Sequence, residues 1–75
     1  MRREPVQSKA LKSVGYDATT KTLEVEFTAG TIYQYFDVSE FTHRALMRAA
    51  SKGRFFQTSI DGRYRFHEVG EERLT

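Results

Sequence analysis

The chain has no cysteine, so no disulfide can staple it and no thiolate can bind a metal. That argues against a small secreted scaffold. Its single proline, Pro5, lies in a polar stretch over residues 1–7 that has the composition of a flexible N-terminal arm. Met-Arg-Arg-Glu-Pro leads into no apolar run of the kind a signal peptide needs. Nothing approaches the roughly 20 consecutive apolar residues of a membrane span. The expected location, by elimination, is the cytoplasm. A net charge of +2 is too small to name a partner.

What is present is a compact set of large rings. Seventy-five residues make one domain, near the lower limit at which a hydrophobic core holds a fold unaided. Six Phe and four Tyr help, since each buried ring removes about 150–250 Å² from water. Charge is unevenly placed: +3 over residues 1–12, −4 over 13–40, +5 over 41–65 and −2 over 66–75. Between residues 13 and 65 the acids are concentrated in the first half and the bases in the second.

Val14 and Tyr16 alternate with small or polar neighbours and end a first strand. Asp17 to Lys21 is a polar turn that the Asp side chain can cap. Leu23, Val25 and Phe27 alternate with Thr22, Glu24 and Glu26, the pattern of a half-buried strand. Thr31 to Phe36 is a third strand, rich in β-branched and aromatic residues. A three-residue loop, Thr28-Ala29-Gly30 with Gly30 left-handed, fits the second turn better than a two-residue Ala-Gly loop. It pairs Val25 with Tyr33 and Leu23 with Tyr35, placing both tyrosines on the core side. Ile32 and Phe36 then point outward beside Glu24 and Glu26, a place for another chain or for the folded-back C-terminal segment. The alternative register turns the tyrosines to solvent as a binding platform.

A helix comes next. Asp37-Val-Ser-Glu40 has capping-box spacing, with Ser39 an alternative cap. Val38, Phe41, Ala45, Leu46 and Ala49 share one broad face, and Arg44, Arg48 and Lys52 form a basic stripe along its border. Gly53 fits the position just past the helix end. Asp61-Gly62 signals a turn, and Arg63 to His67 alternates like an edge strand. The expected fold is α+β: an antiparallel three-stranded β-meander packed against one α-helix, with an aromatic C-terminal segment able to add a strand. Val14, Tyr16, Leu23, Val25, Phe27, Phe41, Leu46 and Phe56 are the expected core.

Catalytic signals are weak. His43 and His67 belong to no metal-binding spacing, and no elbow motif activates Ser51 or Ser59. Ser51 is explained by a hydroxyl bonding a carbonyl near the helix end. Gly30, Gly53 and Gly62 each have a turn or cap to explain them, so no phosphate loop is implied. No catalytic, metal or cofactor residue is assigned, and the expectation is a non-enzymatic binding domain. Arg44, Arg48, Lys52, Arg54, Arg63 and Arg65, interleaved with rings such as Tyr64, suit phosphates and stacked bases of RNA. A protein partner or homo-oligomer is the alternative; neither metal nor membrane is expected.

The ordered set Ser8, Gly15-Tyr16-Asp17, Leu23-x-Val25-x-Phe27, Gly30, Tyr33-x-Tyr35 and Val38 resembles the KTSC domain family. Ala49-x-Ser51-x-Gly53, Phe56, Ile60 and Tyr64 continue the resemblance, which covers residues 8–64. Tyr33, Tyr35, Ser51 and Gly53 carry its motif. Ser39 stands where that family often has proline, and Gln57 where it often has asparagine. The family includes a C-terminal module of some lysyl-tRNA synthetases and free-standing bacterial and phage proteins. The expected organisation is a KTSC-like domain over residues 8–69 and a flexible tail over 70–75, and the resemblance implies RNA binding by association with the synthetase.

Overall fold

The computed structural model describes residues 1–71. Five strands form one antiparallel sheet in chain order: β1 (Glu4–Pro5), β2 (Leu11–Asp17), β3 (Thr22–Phe27), β4 (Thr31–Tyr35) and β5 (Phe66–Glu71). Two helices, α1 (Glu40–Arg48) and α2 (Lys52–Ser59), lie between β4 and β5 in the chain. The expected meander is β2–β3–β4, and the sheet is wider than three strands because both its edges are covered. Unpaired strand edges leave backbone donors and acceptors open, and the two chain ends supply partners. Where the sequence reading has a flexible arm, Glu4 and Pro5 pair with Val14 and Ser13. The aromatic C-terminal segment pairs with β4, Tyr35 opposite Phe66. Residues 72–75 of the expected tail lie outside the described residues.

The β3–β4 turn conforms to the three-residue reading. Gly30 has φ +105°, its N–H donates to the Phe27 carbonyl at 2.8 Å, and Leu23 and Val25 face Tyr35 and Tyr33. Both tyrosines therefore turn toward the helices. The core joins Leu11, Val14, Leu23, Val25 and Tyr35 of the sheet to Val38, Leu46, Phe56 and Ile60. Leu11 reaches it through an irregularity in β2 between Leu11 and Ser13, which moves Leu11 off the face that Ser13 occupies.

The expected single helix is two. Ala49 leaves helical geometry at ψ 138°, and Ser51 caps α2, its hydroxyl accepting from the Arg54 N–H at 3.3 Å. Ser51 thus starts a helix rather than ending one, because a serine oxygen satisfies an orphan N–H best at a helix start. Gly53 lies inside α2, not past a helix end, and a Cβ there would meet the Ala10 Cβ at 3.3 Å. Its bareness lets α2 approach the chain before β2. The break also divides the basic stripe, with Arg44 and Arg48 on α1 and Lys52 on α2.

Phe41, expected in the core, is 78% exposed. It lies five residues before Leu46, about 140° around the helix, so the two cannot both face the sheet. His43 stacks on Tyr16 with centroids 4.7 Å apart, and Leu46 is fully buried; together they set the rotation of α1 and turn Phe41 outward. Ser39 is the N-cap, accepting from the Thr42 N–H at 3.1 Å.

The second face of the sheet is polar yet closed. Glu24 and Glu26 are only 5% and 3% exposed. Arg3 crosses over them: its guanidinium pairs with Glu24, lies 3.7 Å from Glu26 and donates through Nε to the Ser13 hydroxyl at 2.9 Å. Ser13 donates to Glu26 at 2.8 Å and Gln34 to Glu24 at 2.8 Å. The arm can pass so close because Gly15 has no side chain; a Cβ there would sit 2.5 Å from the Arg2 carbonyl oxygen. Among the described residues no helix is long and apolar enough to cross a membrane.

Candidate functional site

The helix-covered face opens into a hollow where β3, β4, β5 and the end of α2 meet. Phe27, Thr31, Tyr33, Tyr35, Phe56, Asp61 and Phe66 are among its lining residues. The strands put these rings together: Val25 faces Tyr33, and Tyr35 lies between Leu23 and Phe66. Phe27 and Phe56 meet edge to face at 5.2 Å, Tyr35 meets Phe56 at 5.4 Å, and Phe66 tilts against Tyr33 at 5.6 Å. Such contacts hold the rings in place while leaving Phe66 58% exposed. Burial first, and then the neighbouring Asp61 charge, pushes the Tyr35 phenol up to about 12, so it remains a proton donor. An adjoining hollow shares Phe27, Phe56 and Asp61 and adds Ser51, Gly53, Arg54 and Gln57. Tyr33 and Tyr35 thus line the first hollow, Ser51 and Gly53 the second, and the two share a wall of Phe27, Phe56 and Asp61.

The cations singled out from the sequence are distributed differently. Arg54 borders the depression, exposed, and its guanidinium makes no ion pair among the described residues. Lys52 donates from Nζ to the Ala49 carbonyl at 3.1 Å, and Arg63 from Nε to the Thr58 carbonyl at 3.0 Å. Arg65 lies 3.5 Å from Asp37 and 5.7 Å from the centre of the Phe36 ring. Arg44 lies 3.8 Å from Glu40, and Arg48 is exposed at the end of α1. Tyr64 is half-buried against the core; Phe66 is the more open ring. Asp61, whose adjacent glycine marked it only as a turn residue, is the site member that sequence reasoning passed over. Its side chain accepts no hydrogen bond from any described residue, and no local pattern announces that.

His43 and His67 serve other places. His43 lies against Tyr16, and burial, opposed by Glu4 and Glu40 and aided by Arg44, holds its imidazole below the ordinary value. His67 is exposed on β5, opposite Gln34. Among the described residues no group of three or more His, Cys, Asp or Glu is placed to hold a metal.

A sequence model of the KTSC domain matches residues 7–72. The chain belongs to the KTSC domain family. A crystal structure of a KTSC domain protein from Yersinia pestis superposes with a TM-score of 0.90 at 40% identity, covering 92% of this chain and 97% of that one. An uncharacterised protein of Stutzerimonas stutzeri is 40% identical over 70 residues, 92% of this chain and 99% of its own. A lysine–tRNA ligase of Trichormus variabilis is 36% identical over 59 residues. Those residues are 79% of this chain, but this KTSC domain spans only 10% of the ligase.

Proposed function

We propose that this KTSC domain is a non-enzymatic, cytoplasmic RNA-binding module that takes single-stranded RNA across the aromatic depression. The observation that carries the reading is an open ring, Phe66, on a hollow that adjoins the one lined by Arg54, a cation with no ion pair among the described residues. Single strands offer stackable bases joined by phosphates, and sites for them combine aromatic platforms with positive charge. The similar segments in lysine–tRNA ligases support it, since those enzymes are named for an RNA partner. Arg44 and Arg65 remain available as outlying phosphate contacts, because exposed ion pairs like theirs are worth only about 0–1 kcal/mol.

The test is fluorescence anisotropy of a labelled single-stranded RNA across a salt series. Affinity should fall with a logarithmic slope of about −0.7 per phosphate engaged, and Arg54→Ala should flatten it by about one such unit. Phe66→Leu should weaken binding by about 1–3 kcal/mol at unchanged slope. Binding that ignores salt, or no binding, refutes the reading. Phe41 favours a second one: a phenylalanine this exposed suits a protein partner or a second copy of the chain. Concentration-dependent sedimentation, abolished by Phe41→Ser, would support self-association.

A further inference from the structure

Two polar groups at the hollow have no partner among the described residues. Tyr35 is only 4% exposed, and its hydroxyl makes no hydrogen bond to any described residue. Asp61 is exposed where it lines both hollows, and its carboxylate accepts neither a hydrogen bond nor an ion pair from any described residue. The ring is buried but its hydroxyl holds nothing among the described residues, so packing alone gives no reason for tyrosine over phenylalanine at this position. The hollow is open on one side and measures about 430 Å³, inside the roughly 300–1,000 Å³ of small-ligand sites.

We propose that the hollow takes one guanine base of a single-stranded RNA, with Asp61 accepting from its N1–H and N2–H groups and Tyr35 donating to O6. This rests on the RNA-binding reading above. An ionised carboxylate only accepts, and it accepts best in pairs. The guanine Watson–Crick edge offers two adjacent donors beside one acceptor. Adenine and cytosine set a ring-nitrogen lone pair beside their amino donor, which would face the second carboxylate oxygen. Uracil flanks its one N–H with two carbonyls, which would repel it. Guanine alone gives the carboxylate two donors side by side while offering the hydroxyl an acceptor. The open Phe66 ring supplies the stacking surface, and Arg54 lies where the adjoining hollow would carry the backbone.

The experiment compares labelled oligouridines that carry a single central G, A, C or U, with guanosine monophosphate as a separate arm. The G oligomer should bind roughly 5- to 150-fold tighter than the other three, the discrimination typical of a bidentate base contact. Asp61→Asn keeps the shape but swaps one acceptor for a donor, and it should reduce G to the level of U. Tyr35→Phe should lower the preference severalfold while leaving the melting temperature unchanged, because that hydroxyl holds nothing in the fold. Guanosine monophosphate should bind at least about tenfold more weakly than the G oligomer, having fewer phosphates to engage. Equal binding of the four oligomers, or a G preference that survives Asp61→Asn, overturns the guanine pocket; salt-dependent binding would then leave the RNA reading standing. Monophosphate binding as tight as the oligomer's overturns RNA as the occupant. No binding of any oligomer overturns both.

Discussion

Arg3→Met tests whether the N-terminal arm is part of the fold. Methionine keeps an unbranched stem over Gly15 and deletes the guanidinium that lies over Glu24 and Glu26. Both carboxylates are almost wholly removed from water, and stripping one partner from a buried ionic group costs about 3–5 kcal/mol. Part of that is offset: Gln34 still donates to Glu24, Ser13 to Glu26, and Lys12 stands 3.7 Å from Glu26. A loss of about 2–3 kcal/mol remains, against about 4–11 kcal/mol for a domain of this length. With a urea m-value near 1 kcal/mol/M, the lower end for small proteins, the midpoint should fall by about 2–3 M. Circular dichroism through a urea titration reads this directly. Adding Glu24→Gln to Arg3→Met should restore much of the loss, since the second change removes one of the charges left uncompensated; the double-mutant cycle gives the coupling. A midpoint within about 0.5 M of the parent refutes the reasoning, because the carboxylates would then be hydrated without Arg3.

Phe41→Ala should leave stability within about 0.5 kcal/mol, whereas Leu46→Ala should cost about 2–5 kcal/mol; the two denaturation midpoints separate the observed rotation of α1 from the expected one. Gly30→Ala should destabilise by about 1 kcal/mol or more through its positive φ, with no steric contribution because a Cβ there meets nothing within 4 Å. For His43 the folded state favours the neutral ring, so the unfolded chain takes up a proton first as pH falls. Stability from this site is therefore complete above the unfolded value of about 6.5 and is lost as pH drops through the lower folded value. His43→Gln should flatten that slope, and the imidazole signals of His43 should titrate below about 6.5. A titration at or above the unfolded value refutes the assignment.

The centre of the sheet was legible because one strong local rule governed it. Leu23, Val25 and Phe27 alternate, and a glycine where a left-handed residue was required fixed the register that turned Tyr33 and Tyr35 inward. The C-terminal edge was read as an aromatic segment able to add a strand, but the N-terminal edge was not legible, for a physical reason. Glu4-Pro5 has neither length nor β propensity; it is a strand because β2 offers open backbone groups and because Gly15 and two buried carboxylates make room and charge for Arg3. None of those causes lies in the segment itself. The second helix was hidden similarly: Ala49-Ala50-Ser51 is compatible with continued helix, and the serine caps α2 only where Gly53 can close against Ala10.

The site divides along the same line. Its rings were visible as hydrophobic periodicity, which says that they pack but not that Phe66 stays open while Tyr64 turns in. Its cations were visible as a stripe, and the stripe failed when the helix broke, leaving Arg54 as the member beside the rings. The Tyr35 hydroxyl and the Asp61 carboxylate belong to residues whose sequence roles, strand and turn, were sufficient explanations in themselves. Only the closing of β5 against β4, with the turn after α2 brought over the same rings, places this donor and this acceptor on one hollow. A donor and an acceptor left open to a ligand are set here by contacts between distant segments, so their pairing lies beyond any local reading.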